Sequence, residues 1–253
     1  MAFCDAHFHL NDSLSKCGTD AVCGFFSGDV LAATCAHSKE EFEKESMFIK
    51  ENSLGSKIVQ CFGLHPQMPL IENAGYLESL VIDKKISAIG ETGHDFFTDG
   101  LKLLEEKQSE CFSLCLDIAL SYDMPLVIHN RKALEKIFEN SKKLKKLPFV
   151  LFHSFAFSSV EANAILKRGI NGYFSFSKQI CNGNRKSISC VHDLETGRVL
   201  YETDAPYQTL KGEQYTFPAD IEKVYGTAVD IKKMSLETLC CETRNTFSQL
   251  FGL

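Results

Sequence analysis

Six side chains able to bind a metal ion lie at five widely spaced points of the sequence, each where a short apolar run meets a polar loop. They are His7 and His9 in FCDAHFHL, Glu91 in ISAIGETGHD, His129 in MPLVIHNR, His153 in PFVLFHSF and Asp204 in VLYETDAP. Imidazole nitrogen and carboxylate oxygen without thiolate suit zinc, manganese, iron or magnesium. One tetrahedral catalytic ion keeps a position for water and needs fewer ligands than this set provides. Two ions sharing Glu91 use it more fully. Such a pair, about 3.5–4 Å apart, lowers the pKa of a bound water and clamps the attacking and leaving oxygens of a displacement at phosphorus. Asp204 is the candidate to orient that water and shuttle its proton while binding a metal, and Glu91 is its bridging partner. No serine sits on a nucleophile-elbow turn, so nothing in the set resembles an acyl-transfer triad.

Taken singly, each motif has an ordinary reading: a chance H-x-H, a glutamate capping a loop, a hydrogen-bonded core histidine. Position joins them. On a strand, residues i and i+2 face the same way, so His7 and His9 can reach one ion, and Asp5 precedes them. Gly90 lets the backbone pass close to its neighbours just before Glu91, and Pro206 stiffens the turn after Asp204. His129 and His153 end two apolar runs in the same way, which predicts partners on adjacent parallel strands.

The elements that must hold these residues are eight strand-like runs: Phe3–His9, Val30–Cys35, Lys57–Gly63, Ile86–Glu91, Pro125–His129, Phe149–His153, Gly172–Ser177 and Arg198–Thr203. Several are almost wholly apolar, as expected of strands covered on both faces. Between them run helical patterns. Ser38 with Glu41 and Ser158 with Glu161 fit the capping box. A stripe of Leu104, Cys111, Phe112, Cys115, Ile118, Ala119 and Tyr122 predicts a long helix over Leu101–Tyr122. Shorter helices are expected over Lys132–Asn140 and Val160–Arg168, from Pro218 toward Val229, and over Ser235–Leu250. Asn11–Asp29, rich in Gly, Ser and Asp, reads as a loop with little structure of its own. The lysine run Lys142–Lys146 reads as a solvated helix end.

Strand–helix alternation without a linker predicts one α/β domain over residues 1–253, a single (β/α)8 TIM barrel with an extra C-terminal helix. The metal site then lies at the C-terminal ends of the strands, where strands one, four, five, six and eight bring their motifs to one mouth. The loop after strand seven carries Arg185 and Lys186, where barrels often grip a phosphate, although a plain surface role fits these two as well. A formal charge of −6 speaks against wrapping duplex nucleic acid through a broad basic surface. The eleven cysteines are odd in number and lack CxxC spacing, and no leader precedes the first motif. That pattern predicts reduced thiols in a cytoplasmic protein, with Cys111 and Cys115 in the core. No apolar stretch suggests a membrane span.

With these motifs in hand, the sequence resembles the TatD-type metal-dependent deoxyribonucleases, a branch of the amidohydrolase-like TIM barrels. The resemblance rests on DAHFHL (5–10), GLHPQ (63–67), GETGHDFF (90–97), Gln108 with Phe112, PLVIHNR (125–131), FHSF (152–155), GYFSFS (172–177), ETDAPY (202–207) and Asn245 with Phe247 and Phe251. It implies that His7, His9, Glu91 and Asp204 hold one ion and that Glu91, His129 and His153 hold the second. It also implies that His65 and Arg131 contact substrate phosphate, two divalent ions (Mg, Mn or Zn) serve as cofactors, and DNA is the substrate. The expected substrate form is single-stranded or frayed DNA or a 3′ end, cut by an exonuclease of either polarity, with no membrane and no obligate protein partner. His94 stands where the family usually has leucine, Lys132 replaces an acidic residue, and Ala156-Phe157 follows FHSF in place of the usual glycine. The stretch between strands one and two is shorter than typical. These departures bear on substrate choice rather than on the six candidate ligands. An amidase, lactonase or deacylase of the same barrels is the alternative, although Glu91 occupies the place where such enzymes often carry a carboxylated lysine. A non-catalytic relative that kept the fold is the third reading, against which the retention of all six candidate ligands counts.

Overall fold

The computed structural model describes residues 2–253. Eight parallel strands form one sheet in the order of the chain, β1 to β8. They are β1 (Phe3–Phe8), β2 (Val30–Ala36), β3 (Ile58–Phe62), β4 (Ala88–Asp95), β5 (Leu126–Arg131), β6 (Val150–Phe152), β7 (Gly172–Phe176) and β8 (Val199–Tyr201). Each falls on one of the eight predicted runs, and helices fill the connections. The expected barrel is therefore the observed fold.

The nearly unbroken apolar strands divide their residues between two environments. Cys4, Ala6, Leu31, Ala33, Cys35, Val59, Cys61, Ala88, Val127, Leu151 and Leu200 fill the barrel interior, and Phe247, Leu250 and Phe251 of the last helix, Leu236–Phe251, pack against them. Alternate positions such as Phe62, Ile89, Ile128, Phe152, Phe174 and Tyr201 face outward, where helix residues including Phe112, Cys115, Ile165 and Val224 cover them. All eleven cysteines are unpaired, and Cys111 and Cys115 are buried. Among the described residues no helix is long and apolar enough to cross a membrane.

Two irregularities set the mouth of the barrel. Between Asp5 and Phe8, β1 advances one residue more than β2, and between Ile89 and Thr92, β4 does the same against β5. An extra residue in one strand re-aims a side chain, and these two bulges fall at His7 and Glu91. β1 and β8 are joined at the same end. The Asp204 N–H donates to the His7 carbonyl at 3.0 Å and the His9 N–H to the Ala205 carbonyl at 2.8 Å. Asp5 reinforces the seam by accepting from the Thr203 N–H (2.9 Å) and hydroxyl (2.6 Å). Burial pushes the Asp5 carboxyl up to about 8, with the Thr203 bonds pulling the other way.

Asn11–Asp29 departs from the expected loop. Two helices, Leu10–Cys17 and Thr19–Phe26, meet at Gly18, whose φ of 84° suits glycine. Each is only eight residues long, so neither shows sustained periodicity in the sequence. Their stability comes from burying Leu10, Val22 and Phe26 against Phe8, Val30, Ile49, Leu54 and Ile58, which overrides weak local propensity. The long helix is also interrupted, running as Asp99–Lys102 and then Glu105–Ser121. At Ser158 the Glu161 carboxylate reaches back as expected, accepting from the Ser158 N–H at 2.6 Å and from its hydroxyl at 2.8 Å. At Ser38 the hydroxyl oxygen accepts from the Glu41 N–H at 3.2 Å as expected, while the Glu41 carboxylate reaches back to the N–H of His37 at 2.8 Å, one residue before the cap.

One buried carboxyl ties the first loop to the barrel. The Thr34 hydroxyl accepts from the Leu10 N–H (3.1 Å) and donates to Glu45 (3.0 Å). Burial, helped by the charge of Glu41 and opposed by the Thr34 bond, pushes Glu45 up to about 8. A folded-state value above the unfolded one contributes stability that is complete below the ordinary carboxylate range and lost as pH rises toward 8. Each unit of difference is worth ~1.4 kcal/mol, and each kcal/mol moves the melting temperature of a chain this size by roughly 2–4 °C. Metal-free protein is therefore expected to melt several degrees lower at pH 8 than at pH 5, and Glu45→Gln to flatten that decline. An unchanged slope in a thermal scan of the variant would refute the assignment.

Candidate metal centre

The side chains at the C-terminal ends of the strands converge on Glu91. A Cβ on Gly90, whose φ is 152°, would stand 2.5 Å from the Val127 Cβ, so only glycine lets β4 approach β5 this closely just before Glu91. Glu91 Oε2 lies 3.3 Å from His37 Nε2, 3.5 Å from His7 Nε2, 3.7 Å from His65 Nε2 and 3.8 Å from His9 Nε2. On its other side, Oε1 lies 2.5 Å from His153 Nε2 and 3.5 Å from His129 Nδ1. Asp204 Oδ1 is 3.3 Å from His9 Nε2 and 3.7 Å from His7 Nε2. Asp204 itself sits at a φ of 54°, a left-handed conformation uncommon outside glycine and concentrated at functional sites. All six side chains singled out in the sequence thus share one buried cluster.

The electrostatics follow from this crowding. Burial works against charge on Glu91 and Asp204, but the surrounding imidazoles hold both carboxyls below their ordinary range. Burial drives His7 down to about 3 despite the two carboxylates. His9 is also penalised by burial, yet its bond to Asp204 and the charge of Glu91 lift it to about 9. Two ionised carboxylates among imidazoles make a donor set of the kind a divalent cation requires, the cation displacing the proton that His9 otherwise keeps.

The residues behind this cluster orient it. His129 turns its Nε2 to Asp95 Oδ2 at 3.0 Å. Asp95 also accepts from Gln67 Nε2 (2.7 Å) and the Phe97 N–H (2.9 Å). Burial opposes charge on Asp95, but the His129 and Gln67 bonds hold it at about 2. A carboxylate on the far nitrogen of an imidazole fixes its tautomer and raises its basicity as a ligand. Behind His153, Glu202 Oε1 stands 3.7 Å from Nδ1 and the Ser175 hydroxyl donates to Glu202 at 2.5 Å. The His7 Nδ1 faces the Cys35 thiol at 3.6 Å.

An open cleft of about 870 Å³ lies over the cluster. Of the three candidate substrate contacts, His65 and Arg131 line it. Arg185 is exposed and lies outside the lining, at the first position of the helix Arg185–Asp193, which the Asn184 side-chain oxygen caps by accepting from the N–H groups of Lys186 and Ser187. Asn182 and Asn184 line the cleft in its place. The Arg131 guanidinium stacks 3.5 Å from the centre of the Phe97 ring, and Lys132 Nζ lies 4.5 Å from the same ring. Tyr207, on the loop after β8, packs edge-on against His9 and donates to Asp12 at 2.7 Å. Buried Lys178 pins that loop through Glu213 at 2.7 Å and holds Asp220 at 2.5 Å. His94 takes no part in the cleft: it packs outside the barrel against Phe112, with Nε2 3.1 Å from the Ser109 hydroxyl.

Sequence reasoning missed His37, Asp95 and Glu202. His37 carried the same signal as the chosen histidines, since VLAATCAH is also an apolar run ending in imidazole. Asp95 and Glu202 lay inside motifs already quoted, but nothing in a linear pattern says which residue stands behind a ligand.

Four groups of ligand atoms come close enough to hold a cation: His7–His9–Asp204, His7–Glu91–His153, His9–His37–Glu91 and His65–Glu91–His129. Glu91 Oε2 and the His37 Nε2 that faces it are buried and lack hydrogen-bond partners. Orphaned acceptors and ring nitrogens facing one another fit a cation between them.

Comparison with known proteins agrees with the geometry. An "uncharacterized metal-dependent hydrolase" of Mycoplasma pneumoniae is 30% identical over 262 residues, covering 93% of this chain and 94% of its own. A "3'-5' ssDNA/RNA exonuclease TatD" of Enterobacter lignolyticus is 26% identical over 242 residues, covering 90% of this chain and 88% of its own. The crystal structure of YjjV, a TatD homologue from Escherichia coli, shares the fold with a TM-score of 0.85 at 22% identity, covering 99% of this chain and 98% of that one. The sequence profile of the family described as "TatD related DNase" matches residues 4–252, and the chain belongs to that family.

Proposed function

We propose that this protein is a metal-dependent hydrolase of phosphodiester bonds, a deoxyribonuclease that trims single-stranded or frayed DNA from its 3′ end. The observation that carries the reading is the position of Glu91, whose two carboxylate oxygens face two different sets of imidazoles. His7, His9, Glu91 and Asp204 hold one divalent cation, and Glu91, His129 and His153 hold the other. When bound, Mg, Mn or Zn at these positions supplies Lewis acidity and lowers the pKa of water. Asp204 accepts a proton from the attacking water at a carboxylate oxygen and returns it to the leaving 3′ oxygen as the P–O bond breaks. Asp95 keeps His129 Nδ1 turned toward Glu91 by holding Nε2.

The rim supports an unpaired strand. Tyr207, 50% exposed, lines the cleft and offers ring surface to a base, while His65 and Arg131, the latter stacked on Phe97, face the backbone. The net charge of −6 leaves no broad basic track for duplex. The exonuclease name of the Enterobacter lignolyticus relative points the same way.

The test incubates metal-free protein with 3′- and 5′-labelled single-stranded DNA, then with ester, lactone and amide panels, restoring Mg, Mn or Zn in turn. Release of mononucleotides from the 3′ end only when a divalent ion is present is the expected result. Activity confined to carbonyl substrates would transfer the protein to the amidase, lactonase or deacylase reading. Arg131→Ala is expected to raise KM by about tenfold with little change in kcat, and to lower the salt slope of log KM by about 0.7, one single-strand phosphate contact. Arg185→Ala, outside the cleft lining, should change neither.

A further inference from the structure

We infer that His37 is an additional ligand of the cation held beside His9 and Glu91, making that position richer in imidazole than the six-residue set provides. The inference rests on the metal-centre reading and deepens it. β2 lies between β1 and β3 in the sheet, so the residue that follows it comes up between His9 and His65. His37 Nε2 is 3.3 Å from Glu91 Oε2, the shortest of the four imidazole approaches to that oxygen. Ligands bonded to one ion at 2.0–2.2 Å stand about 3–3.6 Å apart at right-angled to tetrahedral geometry. The spacing is therefore that of two ligands sharing an ion.

Hydrogen bonding makes the same case independently. Both ring nitrogens of His37 are buried without a partner, as is the Glu91 oxygen it faces. A histidine retained for packing normally satisfies at least one ring nitrogen. The backbone of His37, in contrast, is fixed on both sides: its N–H donates to Glu41 at 2.8 Å and its carbonyl accepts from Asn73 Nδ2 at 3.1 Å. The main chain is held while the ring is left free to bind. His9, His37 and Glu91 together form one of the four groups of ligand atoms close enough to hold a cation, which adds the His37 imidazole to that of His9 at this position. Magnesium prefers oxygen ligands and keeps its waters. Imidazole favours zinc, cobalt and nickel. The selectivity of this chain at that position shifts accordingly.

Equilibrium dialysis against a competing chelator, with metal content read by mass spectrometry, would compare wild type with His37→Asn and His37→Ala for Zn, Co, Mn and Mg. The visible spectrum of the cobalt-loaded proteins reports coordination directly. The expected result is a loss of Zn and Co affinity at one of two positions of about 10–100-fold, a much smaller change for Mg, and an altered cobalt band. In cobalt-loaded wild type, a hyperfine-shifted imidazole resonance assigned to His37 is expected, and this measurement needs no variant to fold. Unchanged affinity and spectrum in folded variants, or an unshifted His37 resonance, overturns the inference while leaving a two-ion centre in place. A wild type that binds no cation at all overturns the metal-centre reading together with it.

Discussion

Glu91→Ala should abolish hydrolysis, with a fall of about 10³-fold or more, and should reduce the bound metal from two ions to at most one. The expectation follows from the place of this carboxylate at the centre of the cluster, with imidazoles on both oxygens. Alanine would leave those imidazoles facing one another with no negative charge between them, so two cations would repel across an empty space. Glu91→Gln tests the charge alone, since it keeps the shape and loses the anion. Both variants also serve as the control against contaminating nuclease in any DNA assay. A Glu91→Ala protein that keeps more than a tenth of wild-type turnover, with two ions bound, would remove Glu91 from the mechanism.

The second large effect is expected at Asp204. Asp204→Asn should lower kcat by about 10²–10⁴-fold while KM changes little and most of the metal stays bound. The amide keeps an oxygen for a cation and for the His9 bond, but it cannot take a proton from water. Backbone position is unaffected, because the Asp204 N–H bond to the His7 carbonyl does not involve the side chain. Steady-state kinetics beside metal analysis separates this from simple loss of the ion. If Asp204→Asn hydrolyses DNA within a few-fold of wild type, the proton passes through another group.

Much of this architecture can be read from linear patterns because of how a parallel barrel solves its burial problem. Strands covered on both faces must be apolar along their buried length, so a polar residue such as His153, just past β6, or His129, where the apolar part of β5 gives way to Asn130 and Arg131, marks the strand's open end. Other features have no such trace. The extra residues in β1 and β4 that aim His7 and Glu91 appear only once neighbouring strands are paired. The helices between Leu10 and Phe26 depend on a surface built from residues such as Ile49 and Ile58, far away in the chain. Arg185 carries the right charge beside the right loop, but it opens a helix and lies outside the cleft, while Asn182 and Asn184 line it.

The seam between β1 and β8 also governs how the molecule must be made. Asp5 and Thr203, which hold that seam, are 198 residues apart. At typical rates of synthesis the first strand waits roughly 10–40 s for its partner to leave the ribosome. During that interval the edge of β1 stays unsatisfied, open to mispairing with a neighbouring nascent chain.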